Sequence, residues 1–155
     1  MSLSLQEISD RIEIQDLLVA YSHAIDTRDW DALDDVFTPD AHIDYTAFGG
    51  SAGDLPSTKA FLAQAMPMFS SFQHMVATSR VELDGDVATG RTICHNPMVV
   101  EHDGETTVFF CGLWYVDRFV RTPAGWRIAE RVEEKSFMHN APGWMAPAPD
   151  SGPAS

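Results

Sequence analysis

Residues 74–101 read HMVATSRVELDGDVATGRTICHNPMVVE, and this stretch decides the fold class. Strand-forming residues run from His74 to Leu83, a turn falls at Asp84-Gly85-Asp86, and a second strand follows from Val87 to Glu101. Asp-Gly between two such runs signals a hairpin, because glycine supplies the positive φ a tight turn needs. A further turn at His102-Asp103-Gly104 leads into a third strand, Thr106 to Arg121. Pro123-Ala124-Gly125 then leads into a fourth, Trp126 to about Phe137. This half of the chain is predicted to be an antiparallel meander.

Helical signals precede it. Ser4-Leu-Gln-Glu7 has capping-box spacing. Leu5, Ile8, Ile12, Leu18, Tyr21 and Ile25 then recur at helical intervals. Trp30, Leu33, Val36 and Phe37 suggest a short second helix stopped by Pro39, and Ala41 to Phe48 a strand. Ser57 to Phe69 reads as a third helix that Pro67 bends or ends. Helices followed by runs of strands predict an α+β fold. Residues 1–140 form the expected domain, and 141–155 a Pro- and Ala-rich tail whose end is expected to be disordered.

Composition narrows the function. Ten Lys and Arg face 23 Asp and Glu, a net charge of −13, so no basic stripe is available for nucleic acid or an anionic membrane. No apolar run approaches the ~20 residues of a membrane span, and no secretory signal is visible, so a cytoplasmic location is expected. Cys94 and Cys111 lie in apolar strands without CxxC spacing and read as buried free thiols. The six histidines show no HxH or HExxH pattern, and no metal site is expected. GxSxG and glycine-rich nucleotide motifs are also missing, so no cofactor is expected. The third strand has Val108, Phe110 and Trp114 on one face and Phe109, Leu113 and Tyr115 on the other. A strand apolar on both faces must be covered twice, which points to a homodimer or homotrimer. Arg91, Arg127 and Arg131 read as charges on a solvated sheet face or at a subunit boundary.

Two residues stand out chemically. Asp26 closes the first helix and His74 opens the first strand of the meander. If the fold unites them, the carboxylate fixes the imidazole tautomer and leaves the other ring nitrogen as a general base. On spacing alone, Asp26 as a helix terminator and His74 as a space-filling residue is the alternative.

The order Ile25-Asp-Thr-Arg-Asp-Trp30-Asp-Ala-Leu33, Phe37-Thr-Pro-Asp-Ala41, Gln73-His74, Leu83-Asp-Gly85, Gly112-Leu-Trp-Tyr115 and Gly125-Trp-Arg-Ile128 resembles the SnoaL-like branch of the nuclear transport factor 2-like superfamily. That resemblance implies a cone of curved antiparallel sheet closed by helices around a pocket. Its nearest chemical parallels are cofactor-free lyases: scytalone dehydratase, hexachlorocyclohexane dehydrochlorinase and bile-acid 7α-dehydratase. By it, Asp26 and His74 match a catalytic pair, and Tyr21 and Tyr45 match phenols that polarise a substrate oxygen. Asn96 stands where the bile-acid enzyme has an aspartate, and Met98 where scytalone dehydratase has a second histidine. Either His95 or Asn96 should face the pocket, whose apolar lining is expected from Met98, Phe69, Phe110 and Trp114. The implied activity is a lyase or isomerase acting on a small hydrophobic cyclic molecule. Two alternatives are a binding protein with the same cavity and an accessory subunit resembling that of ring-hydroxylating dioxygenases.

Overall fold

The computed structural model describes residues 2–145. It begins with α1, Leu5–Thr27, which Ser4 caps by the expected reciprocal bonds with Glu7. Arg28 ends it in a left-handed conformation (φ 58°), its N–H donating to the carbonyl of Ile25. The buried face is Asp10, Ile14, Leu17, Leu18, Tyr21, Ala24 and Ile25. This corrects the first half of the expected stripe, because Leu5, Ile8 and Ile12 are exposed.

After a 3₁₀ turn at Asp31–Asp35, β1 spans Phe37–Asp44. The expected second helix is thus shorter, and the strand starts before Pro39. Proline is tolerated there because the β1 ladder is interrupted between Phe37 and His42, where no N–H is required. β1 ends early because the Asp44 carboxylate accepts the Thr46 N–H and hydroxyl, winding Thr46–Phe48 into a 3₁₀ turn. A two-residue strand β2, Ala52–Gly53, precedes α2, Leu55–Ala65, whose N-cap is Asp54. Pro67 sits in the 3₁₀ turn Met66–Met68 that ends the helix.

The remaining strands are β3 (Phe69–Phe72), β4 (Met75–Asp84), β5 (Val87–His102), β6 (Glu105–Thr122) and β7 (Gly125–His139). Among the described residues the seven strands form one curved, unclosed sheet in the order β2-β1-β7-β6-β5-β3, with β4 also on β5. The meander expected from residue 74 onward is present. The wholly antiparallel sheet is corrected, since β1 runs parallel to β7. The helix α1 packs against β4 and β7 and α2 against β1, so helices and inner sheet face enclose the core of an α+β cone. No described helix is long and apolar enough to cross a membrane. The 3₁₀ turn Gly143–Met145 is described, but the end of the tail lies outside the described residues.

Two irregularities in β7 set which side chains reach the interior. Arg118 pairs with Glu130 but Phe119 with Ile128, leaving Ala129 as an extra residue; Gly112 pairs with Phe137 but Leu113 with Lys135, leaving Ser136 as another. One inserted residue reverses the alternation of faces. Trp126 and Ile128 are buried before the first bulge, Arg131 after it, and Met138 reaches the interior again after the second.

Asp10 ties the first helix to the far end of the sheet. Its buried carboxylate accepts two bonds from the Arg121 guanidinium (2.7 and 2.8 Å) and one from the Trp126 indole N–H (3.0 Å). The Arg121 guanidinium, bonded to the carboxylate, holds Asp10 well below the usual carboxylate range. Asp10→Ala should cost about 3 kcal/mol, the scale for breaking a largely buried ion pair. At this chain length that lowers Tm by roughly 6–12 °C, measurable by calorimetry. Because the folded pKa is depressed, this contribution is present above the ordinary aspartate pKa of 3.8 and is lost as pH falls through the folded value. The gap between wild type and variant should therefore close in acid.

Candidate active site

A break between β3 and β4 creates the site. Phe72 pairs with Met98 and Met75 with His95, a single register that sets Gln73 across from Pro97 and His74 across from Asn96. Proline has no N–H to give the ladder. Gln73 donates to the Pro97 carbonyl (3.1 Å), and the His74 N–H turns away to the Asp26 carboxylate, 3.0 Å from each oxygen. The His74 ring follows, with Nδ1 2.7 Å from Oδ1 of Asp26. Arg28 secures the same junction by donating to the Phe69 carbonyl (2.7 Å) while its guanidinium lies over the Phe72 ring.

Because a carboxylate only accepts, the neutral imidazole has its proton on Nδ1 and its lone pair on Nε2. Asn96 Nδ2, 3.2 Å away, donates to Nε2. Asn96 Oδ1 is buried and has no partner among the described residues. On β5 the even-numbered residues face inward, so Asn96 is the member of its pair that reaches the cavity. His95 faces out and stacks on Phe110 at 5.5 Å.

His74 and Asn96 line a cavity of about 300 Å³, room for a molecule of one or two small rings. Tyr21, Tyr45, Phe69 and Met98 line it too, as does Phe109. The expected Phe110 and Trp114 do not. Both project from the opposite face of β6, where Arg91 lies over the Trp114 ring at 4.7 Å. Both faces of β6 are apolar, so composition could not distinguish them. A wider depression beside α2 holds about 520 Å³, but the two charged side chains that line it, Lys59 and Asp34, are already bonded to each other. Among the described residues no cluster of three His, Cys, Asp or Glu is placed to hold a metal ion.

Behind the cavity lies a buried polar stack. The fully buried Arg131 guanidinium donates to both oxygens of the equally buried Asp117 (2.7 Å each). It lies 4.0 Å from the ring centroids of both Tyr21 and Tyr115, which meet each other edge-to-face beside it. This corrects the solvated placement expected for Arg131. Arg91 and Arg127 do meet carboxylates, Glu134 and Asp35. The Tyr21 and Tyr45 hydroxyls are 2.8 Å apart, and burial pushes both phenols above their ordinary pKa. Burial likewise pushes Cys94 up to about 12 and Cys111 up to about 11, keeping both as thiols.

Glu133 was missed altogether. The Ala129 bulge turns it inward beside Arg131, where it joins the cavity lining. Burial pushes its carboxyl up to about 8, against the opposing pull of Arg131, and the charge of Asp44 adds to the rise. A usable signal did exist in Asp117. It shares the alternation of Phe109, Leu113, Tyr115 and Phe119, and a carboxylate on such a face requires a buried cation.

The sequence profile of the SnoaL-like domain matches residues 6–132. An uncharacterized protein of Mycobacterium tuberculosis, Rv2910c, is 57% identical over 135 residues, covering 87% of this chain and 91% of its own. A crystal structure from Novosphingobium aromaticivorans, named provisionally as an aromatic ring hydroxylase, is 29% identical with a TM-score of 0.77, over 86% of this chain and 94% of that one. A type 2 hexachlorocyclohexane dehydrochlorinase has a TM-score of 0.78 over 95% of this chain and 98% of its own, at 17% identity, a likeness of fold alone. The chain belongs to the SnoaL-like domain family.

Proposed function

We propose that this protein is a cofactor-free lyase or isomerase that takes a proton from a small, largely apolar cyclic molecule. The observation that carries the reading is the bond between Asp26 and His74 Nδ1 at the wall of an apolar cavity. Asp26 holds the tautomer and stabilises the imidazolium, while His74 Nε2 removes a proton next to a carbonyl or a leaving group. Asn96 suits both stages. Its amide nitrogen donates to neutral Nε2, and a half-turn presents the oxygen to Nε2–H after proton transfer. Of the linked Tyr45 and Tyr21 hydroxyls, both protonated, one donates to the other and the remaining O–H serves a developing oxyanion. The fold shared with a dehydrochlorinase agrees with this chemistry.

The ring-hydroxylase name of a 29% identical structure favours a second reading, an accessory subunit of a larger oxygenase. Turnover by the isolated chain selects the first, and a stoichiometric complex with an iron-containing chain selects the second.

Screening cyclic ketones, hydroxy-ketones and halogenated rings should yield a substrate. His74→Gln and Asp26→Asn should then each lower kcat at least about 10²-fold, with ligand affinity little changed. Steady-state kinetics of the double variant should show it scarcely worse than the poorer single, because the pair works as a unit. Full turnover by His74→Gln would remove histidine as the base, and ligand binding with no turnover of any compound would make this a binding protein.

The outer face of the sheet supports self-association. Met75, Val108 and Phe137 are exposed there, and Phe110 and Trp114 are only half-buried. Light scattering at micromolar concentration should give a homodimer or homotrimer, whose interface must bury at least about 1,000 Å². A monomeric mass would contradict that assembly.

A further inference from the structure

We propose that Glu133 is the proton donor of this cavity: it protonates an oxygen of the bound molecule while His74 takes a proton from carbon. This rests on the base role of His74 and deepens it by naming the substrate class. Hydroxide is a poor leaving group and needs a proton as it departs, whereas halide leaves without one. A cavity with a carboxylic acid facing its base is therefore built for β-hydroxy carbonyl compounds that lose water, more than for halogenated rings.

The placement of the two groups supports this. Glu133 projects from β7 and His74 from the β3–β4 junction, with β5 and β6 between them. Across the sheet they stand three strand spacings apart, roughly 14 Å. Along it Glu133 registers through Tyr115 with Thr92, four residues from the Asn96 that lies opposite His74. It is thus the curvature of the sheet that turns both side chains toward one space. Both residues line the same cavity. Glu133 has no hydrogen-bonding group acting on it among the described residues, so its proton is free for a ligand.

The surroundings suit an acid. The charge of Asp44, a residue paired with Val132 from the adjoining β1, reaches Glu133, and Arg131 lies on its own strand. Tyr21 and Tyr45, and Cys111 and Tyr115 on β6, are near enough to feel its charge. Burial raises all four phenols and thiols, so they stay protonated as Glu133 titrates near 8. Below that pH the carboxyl holds its proton, and Arg131 stabilises the carboxylate that forms when the proton is given up.

In the reaction, the electron pair of the broken C–H bond forms C=C, and the C–O bond breaks onto oxygen. That oxygen takes the Glu133 proton and leaves as water, and His74 holds the proton from carbon. Solvent then removes the proton from imidazolium and returns one to Glu133, so the products are an enone and water.

Difference infrared spectra of wild type against Glu133→Gln test the assignment without turnover. A protonated-carboxyl band should be present at neutral pH, fade with a midpoint near 8, and shift when 2-cyclohexenone is added. A missing band, or one indifferent to the ketone, overturns the assignment. Kinetics with 3-hydroxycyclohexanone and 3-chlorocyclohexanone supply the second arm. Glu133→Gln should slow water loss at least about 10²-fold and leave chloride loss within a few-fold, whereas His74→Gln should slow both. Equal losses on the two compounds in Glu133→Gln would overturn the donor role. If wild type processes neither ketone, the proton-abstraction reading is what fails for them, and the infrared band alone decides Glu133.

Discussion

The Asp26 carboxylate accepts the His74 backbone N–H and ring Nδ1–H together, joining the last turn of α1 to the gap between two strands. Everything that faces the cavity depends on this attachment. It holds the last turn of α1 against the sheet, with Tyr21 five residues earlier in the helix. It also satisfies a main-chain donor that the β5 ladder leaves free beside Pro97. An unsatisfied buried donor costs about 1–3 kcal/mol. The contact is therefore structural and chemical at once, and the same carboxylate that closes the fold orients the imidazole.

The second determinant is the extra residue Ala129 in β7. Regular alternation would have placed Glu130, Val132 and Glu134 inside and Arg131 and Glu133 in water. The bulge exchanges the sets, bringing a cation and a carboxyl into the cone. A buried guanidinium is tolerable only when paired and otherwise well contacted. Here Asp117 accepts two bonds, and the rings of Tyr21 and Tyr115 both lie against the guanidinium. The buried charge of Arg131 acts against the burial that raises Tyr21, Tyr45 and Glu133 beside the cavity.

Much of the fold was legible in the sequence because its signals are local. The Asp-Gly turns and the apolar alternation of residues 74–137 locate the four long strands, and the Ser4–Glu7 capping box locates the first helix. The parallel pairing of β1 with β7 was not legible, since it joins segments some 90 residues apart that carry no mark of their partner. Nor could composition choose between Phe109 and Phe110, because β6 is apolar on both faces. The meeting of Asp26 with His74 was legible through family resemblance and not through spacing. Arg131 and Glu133 were hidden by a single inserted residue, which propensity does not register, although Asp117 pointed to a buried cation.

The central claim is that His74 presents an unprotonated Nε2 to the cavity while Asp26 holds the proton on Nδ1. Ring ¹⁵N chemical shifts of selectively labelled His74, with His74→Gln to assign the signals, report the tautomer directly. The account predicts a protonated Nδ1 and a bare Nε2 in the neutral imidazole, with the Nδ1 proton shielded from exchange by Asp26. In Asp26→Asn that preference should weaken or reverse. A neutral ring with its proton on Nε2 in the wild-type protein would contradict the account, because His74 would then have no lone pair to offer a substrate.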